Sequence, residues 1–315
     1  MKNANNWKLI AVLGGLIIVF LGVRFYRSPL RESNLPGQLV ELDSAETTQI
    51  LIRPARQIKS EIKLMKSGHQ WQLTSSDGTK GRLESGAASV ALGTLINLRP
   101  NQMVARRANR WNEFRVGDST GTHVQVKAGD DVQADLWIGR SAFASGQGGM
   151  FSGGAHTYVR RQGEKEVYAV PGFLEGQFNR LFDDWRDKTF IRLKRDSIDR
   201  ITFRYPADSS FVLERRNGWH LGNILADSAA VSNYLNLLEY KNVSTFAASQ
   251  PTGEPPLRIV FERRAAPIVT LEAWPTANGW TLGSSLQPET YFAAPTLSVH
   301  RDVWKGKRDF LPVRK

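Results

Sequence analysis

Five histidines and no cysteine bound the chemistry open to this 315-residue chain. The histidines are His69, His123, His156, His220 and His300. None stands at His-x-His spacing or in a His-Glu-x-x-His helix, so spacing reveals no metal site. Without cysteine there is no disulfide, no thiolate zinc site and no thiol nucleophile. No G-x-S-x-G elbow presents a serine. The G-x-x-x-x-G-K-[ST] loop that cradles nucleotide phosphates is absent too, which argues against ATP binding by this chain. The start of a dinucleotide fingerprint at Gly146-Gln-Gly148 fails, because Phe151 stands where the last glycine belongs. Asp183, Asp184 and Asp187 lie among Arg180, Arg186 and Lys188, a pattern of neutralising surface pairs rather than an acid–base couple. The expectation is a chain that is no enzyme and carries no cofactor or metal.

Charge points to partners instead. The net charge is +12, which suits anionic partners such as lipid headgroups or acidic polymers. The basic residues are spread over the chain. Only the doublets Arg106-Arg107, Arg160-Arg161, Arg215-Arg216 and Arg263-Arg264 stand out, and charge at strand edges also blocks edge-to-edge association.

The elements that would position any site are written twice. Thr48-Gln-Ile-Leu-Ile-Arg53, Glu61-Ile-Lys-Leu-Met-Lys66 and Trp71-Gln-Leu73 are matched by Asp199-Arg-Ile-Thr-Phe-Arg204, Phe211-Val-Leu-Glu-Arg215 and Trp219-His-Leu221. Self-similarity of this extent marks a repeated structural unit, with Trp71 and Trp219 expected in equivalent core positions. His69 and His220 flank these tryptophans and read as turn or edge residues. Helical spacing follows in each copy, with Val90, Thr94, Leu95 and Leu98 in the first and Val231, Tyr234, Leu235 and Leu238 in the second. Asp227 is placed to cap the second helix. Period-two strands come next, at 122–126 and 134–138, then at 257–261 and 268–273. Short strands at 167–170 and 290–294 precede prolines. Arg186-Asp187 and Arg308-Asp309 recur near the two ends and suggest a charged pair tying each unit to its neighbour.

The copies differ in length. Trp71 and Trp219 stand 148 positions apart, but Tyr168 and Tyr291 only 123, so the first copy holds about 25 extra residues. Two segments can supply them: Arg110–Gly117, which contains Trp111, and the Gly-rich stretch 141–154. The second is a candidate partner-contacting loop with Phe143, Met150 and Phe151 as apolar anchors.

Leu9 to Val23 is an unbroken apolar run bracketed by Trp7 and by Phe25-Tyr26. A helix from Trp7 to Tyr26 is long enough to cross a hydrocarbon core about 30 Å thick, and aromatics suit both interfaces. Arg24-Phe-Tyr-Arg27 stands where a cleavage site would need small residues, so an uncleaved anchor is expected. Flanking charges balance and do not orient it. An N-terminal anchor ordinarily exports the body that follows, which makes nucleic acid an unsuitable partner.

The ordered series Trp111-Asn-Glu-Phe-Arg-Val116, Leu136-Trp-Ile-Gly139, Thr157-Tyr-Val-Arg160, Val167-Tyr-Ala-Val170 and Arg186-Asp-Lys188 resembles the DUF4340 family of bacterial envelope proteins. Members are encoded beside ABC-type transporter subunits of the gliding-motility kind. The resemblance therefore implies an accessory subunit that works with permease or auxiliary subunits and, through them, a separate ATPase. It supplies no catalytic residues, and it implies a body on the periplasmic side of the inner membrane. The expected organisation is α+β: a cytoplasmic tip and transmembrane anchor over 1–28, a linker over 29–38, and two tandem repeats over 39–190 and 191–315. Each repeat is expected to be a mostly antiparallel sheet with a packed helix. Trp111, Phe143, Met150 and Phe151 are the candidate partner contacts, and Trp7, Leu9, Val23 and Tyr26 mark the anchor. A binding module for an anionic lipid or glycan is the alternative.

Overall fold

The computed structural model describes residues 35–143, 154–295 and 297–312, together with Gly15. Among these no helix is long and apolar enough to cross a membrane. The expected anchor Trp7–Tyr26 lies, apart from Gly15, outside the described residues, as do Met150 and Phe151.

The first sheet contains β1 (Gln49–Arg53), β2 (Ile62–Ser67), β3 (Gln70–Ser75), β4 (Lys80–Arg82), β5 (Gln102–Ala105), β6 (Thr122–Ala128), β7 (Asp131–Phe143), β8 (Ala155–Arg161) and β9 (Val167–Pro171). Their spatial order is β4-β3-β2-β1-β6-β7-β8-β9-β5. A short ribbon pairs β10 (Thr189–Arg192) with β15 (Tyr240–Asn242). The second sheet contains β11 (Arg200–Arg204), β12 (Phe211–Arg216), β13 (Gly218–Leu221), β14 (Ile224–Leu225), β16 (Leu257–Arg263), β17 (Ala266–Thr276), β18 (Gly279–Ser284) and β19 (Tyr291–Ala294). Its order is β14-β13-β12-β11-β16-β17-β18-β19. The eight-strand path is the same in both, every pairing is antiparallel, and the architecture is the mostly antiparallel, two-sheet α+β arrangement that the repeat implied.

Register explains the agreement. Ile50 faces Leu64 on one side and Val126 on the other, and Ile52 faces Ile62 and Val124; all six are buried. In the second sheet Ile201 lies between Leu213 and Phe261, and Phe203 between Phe211 and Ile259. Because side chains alternate every residue, a one-residue slip would turn this entire ladder to water.

Helix α1 (Ala87–Ile96) covers the inner face of the first sheet and α2 (Ser228–Leu238) that of the second. In α2 the expected face is the buried one, Val231, Tyr234, Leu235 and Leu238, and Asp227 accepts from the Ala229 and Ala230 N–H groups at 2.9 and 3.1 Å. In α1 the expected face is corrected. Ala88, Ala91, Leu92 and Leu95 are buried, whereas Val90 is 62% exposed. The helix starts at Gly86, in a left-handed conformation, and its alanines allow close approach to the sheet. The paired tryptophans also part company. Trp219 is buried in the second core, while Trp71 is only half-buried. In the second copy the chain turns at once at Gly222, and Ala226 N–H donates to Trp219 O at 2.8 Å. The longer excursion between β3 and β4 leaves Trp71 at the rim.

Each unit closes on itself through one backbone bond ahead of its helix. Glu84 N–H donates to Trp185 O and Asp227 N–H to Phe310 O, both at 2.9 Å. Just before these carbonyls Asp184 accepts from Leu181 N–H at 2.9 Å and Asp309 from Gly306 N–H at 2.7 Å. The structurally equivalent acids are therefore Asp184 and Asp309. Asp187 is not the counterpart of Asp309, because its partner is Arg82. Strand β10 spans position 190/191, and Phe190 and Ile191 both lie in the second core.

The outer faces are sealed by segments the copies do not share. In the first sheet Trp137, Tyr158, Val167 and Ala169 pack under Phe114 and Val116 of the Trp111 segment. The segment turns at Arg115, whose φ is 55°, and crosses β7 where there is no side chain. A Cβ on Gly139 would lie 2.1 Å from Phe114 O. In the second sheet Trp274 holds the corresponding place two residues after a strand carboxylate, and its Nε1–H donates to Gly253 O at 3.1 Å.

Two tests follow from this packing. Gly139→Ala should destabilise the chain by about 1–3 kcal/mol in denaturant unfolding, the range for forcing atoms into a filled space. Gly93→Ala, in α1 with nothing within 4 Å of its new Cβ, should be neutral or stabilise by up to about 1 kcal/mol. In α3 (Leu297–Val303), His300 is stacked between Trp280 and Trp304 at 4.1 and 5.3 Å, and burial holds its imidazole below the ordinary histidine value. The unfolded chain then takes up the proton first, so stability should fall as pH drops below about 6.5. His300→Phe should flatten that decline in thermal melts from pH 8 to about 5.

Candidate functional site at the seam between the sheets

The two units meet along one edge of the first sheet. Strand β4 is short, and Gly81 within it leaves room for the Arg186 side chain, whose Cγ and Nε would stand 3.1 Å from a Cβ there. Beyond β4, Leu83 bridges to Arg186, and Asp187 N–H donates to Arg82 O at 2.8 Å. Arg186 pairs with Asp183 at 3.1 Å and lies 3.5 Å from the centre of the Phe246 ring. A guanidinium from the first unit thus rests on an aromatic face of the second.

Arg82 is the second link. Its Nη1 donates to Leu286 O at 3.0 Å, and its Nε stands 3.3 Å from Asp187 Oδ2. Its side chain remains 60% exposed, so the pair is solvated and contributes little by charge alone. Gln287 is the third. It is 4% exposed, and its Nε2 donates to Asp187 O at 3.2 Å and Thr189 O at 2.9 Å. Its Oε1 is buried and has no hydrogen-bond donor among the described residues. Because both neighbouring backbone groups are acceptors, the amide cannot turn over without losing two bonds.

Three adjoining cavities open along this seam, and Arg82 lines all of them. One of about 460 Å³ runs between Gln72, Thr74 and Lys80 and the connection from β18 to β19. One of about 670 Å³ lies against Trp71, Glu84 and Ser85. One of about 440 Å³ reaches Lys188, Arg192, Tyr240 and Asn242. Tyr240 is 54% exposed; Arg192 lies 5.2 Å from its ring centre, and hydrogen bonds, first from Asn242, hold its phenol below the ordinary tyrosine value. Around the groove Lys80, Arg82, Lys188 and Arg192 mix with Glu84, Asp187 and Glu289, and amides and hydroxyls lie between. The seam can take a polar, uncharged or mildly acidic ligand.

The residues singled out in the sequence lie elsewhere. Trp111 is half-buried: its Nε1–H donates to Lys165 O at 3.1 Å and its ring carries the Arg160 guanidinium at 3.8 Å. Arg160 is 2% exposed, donates through Nε to Val116 O at 2.9 Å, and pairs with Asp118 at 2.7 Å. Burial pulls its pKa down and Asp118 pushes it back. Phe143 ends β7 and is 62% exposed. His123 meets Asp135 at 2.6 Å on the outer face and stacks on Trp137 at 4.5 Å. Asp183, Asp184 and Asp187 have separate partners. Among the described residues no three His, Asp or Glu side chains stand together as metal ligands. The residues of the groove carried one readable signal, a glycine inside a short strand at Gly81, which marks a close approach.

A family model described as a domain of unknown function, DUF4340, matches residues 71–258. No curated protein matches the chain, and no solved structure does. The matched span starts in β3, takes in the Trp111 segment, Gly139 and the seam around Asp187, and ends in β16. It covers more than half of the chain, and the protein belongs to the DUF4340 family.

Proposed function

We propose that the chain is a non-catalytic accessory subunit of an ABC-type membrane transporter complex. A helix over Trp7–Tyr26 would hold it in the bacterial inner membrane, and both sheets would face the periplasm. There they act by protein–protein contact with permease or auxiliary subunits, while a separate ATPase supplies the energy. The partner class follows from the family resemblance of the motif series.

The observation that carries this reading is the apolar end of the first sheet. Phe143 is 62% exposed, and Phe173, just after β9, is 56% exposed. One residue joins their positions: Ala155 pairs with Phe143 in the β7–β8 ladder, and its carbonyl accepts from Gly172 N–H at 2.8 Å. The Phe173 ring is seated over Gly176, where a Cβ would come within 2.3 Å of it. Two large aromatics presented at one end of a hydrogen-bonded sheet have the make-up of a protein contact, where aromatic residues are enriched.

The tagged full-length chain, purified from native membranes after mild crosslinking, should bring down transporter permease and ATPase subunits. A Phe143→Asp, Phe173→Asp double variant should stay folded in the membrane, by circular dichroism of the purified chain, and lose those subunits. Recovery of the wild-type chain with no transporter subunit would overturn the proposal.

A further inference from the structure

We infer that the seam groove is a binding site for a saccharide chain. This goes beyond the transporter role and does not depend on it. The chemistry of the lining selects the class. Gln287 Oε1 is a buried acceptor without a donor among the described residues, and its amide is locked by the Asp187 and Thr189 carbonyls. Gln287 lines two of the three cavities, so its fixed amide forms part of a polar wall, where a ligand rich in O–H or N–H groups is favoured over an apolar one. A carboxylate or a phosphodiester brings acceptors only.

The charge pattern agrees. Cations and carboxylates are mixed in the lining, and Arg82 is already engaged with Asp187. A site for a free anion would present cations alone. Hydroxyl groups donate and accept at once, so they satisfy Asp187, Asn242 and Gln287 as readily as Arg82 and Lys80. Aromatic faces complete the set. Trp71 lines one of the cavities and the exposed Tyr240 another, and the C–H faces of sugar rings stack on such surfaces. The three cavities each fall in the size range of small-molecule sites, about 300–1,000 Å³, and adjoin at Arg82, which fits several linked sugars rather than one.

The test uses the full chain in lipid nanodiscs, free of sugar-headed detergent. A panel of defined oligosaccharides with N-acetylhexosamine, hexose, heptose and uronic acid repeats is screened by saturation-transfer NMR and tryptophan fluorescence. At least one should bind and persist in high salt. Tyr240→Ala, an exposed change that spares the fold, should weaken it about tenfold, the loss of roughly one stacking contact. Gln287→Glu should weaken it as well, with the melting temperature reported alongside. Binding to none of the panel, binding indifferent to Tyr240→Ala, or binding only of inorganic phosphate that salt abolishes would each overturn the inference.

Discussion

An antiparallel sheet with apolar residues on both faces must be covered twice, and that constraint organises this protein. The inner ladder of Ile50, Ile52, Ile62 and Leu64 is met by α1, and that of Ile201, Phe203 and Leu213 by α2. The strands on the far side of each sheet also carry large rings outward, Trp137 and Tyr158 in one and Trp274 in the other. A helix cannot reach both faces. The duplicated elements therefore cover the inner faces alike, and the outer faces are left to segments that diverged. In the first unit the cover holds by a buried cation: Arg160 stacks on Trp111, pairs with Asp118 and donates to Val116 O. Burying a charge is tolerable only when it is paired and bonded in this way. The Gly139 crossing then fixes how close the cover lies.

The seam obeys different physics. Its links are the Arg82 Nη1 bond to Leu286 O, a guanidinium resting on Phe246 and a buried glutamine that donates to Asp187 O and Thr189 O. These are directional contacts rather than a shared apolar core, and the two main cores remain separate clusters. A polar joint of this kind leaves room between rigid sheets, and the room is lined by the groups that make the joint. The groove and the junction are one feature.

Parts of this were legible in the residues. The α2 face was readable because Val231, Tyr234, Leu235 and Leu238 are large, and their spacing leaves one choice. The α1 face was not, because alanines bury as well as valine and periodicity alone ranked Val90 above Ala88 and Ala91. The Trp111 segment was visible as an unshared piece, but its burial under the outer face was not, since a loop with Trp, Phe and Val reads equally as a partner contact. The closing acids were misaligned because Arg-Asp pairs repeat by type, whereas the capping geometry at Asp184 and Asp309 is set by the backbone.

What the sequence determined by itself was the duplication, the strand periodicity and the family. All three are local or repetitive patterns, and the antiparallel register follows from them because only one alternation buries the apolar residues. What the tertiary structure alone decided was the groove. Arg82, Asp187, Tyr240 and Gln287 lie far apart along the chain, and no spacing rule joins them. They meet because two sheets with separate cores dock at one edge, and docking depends on three-dimensional surfaces that a one-dimensional pattern does not encode.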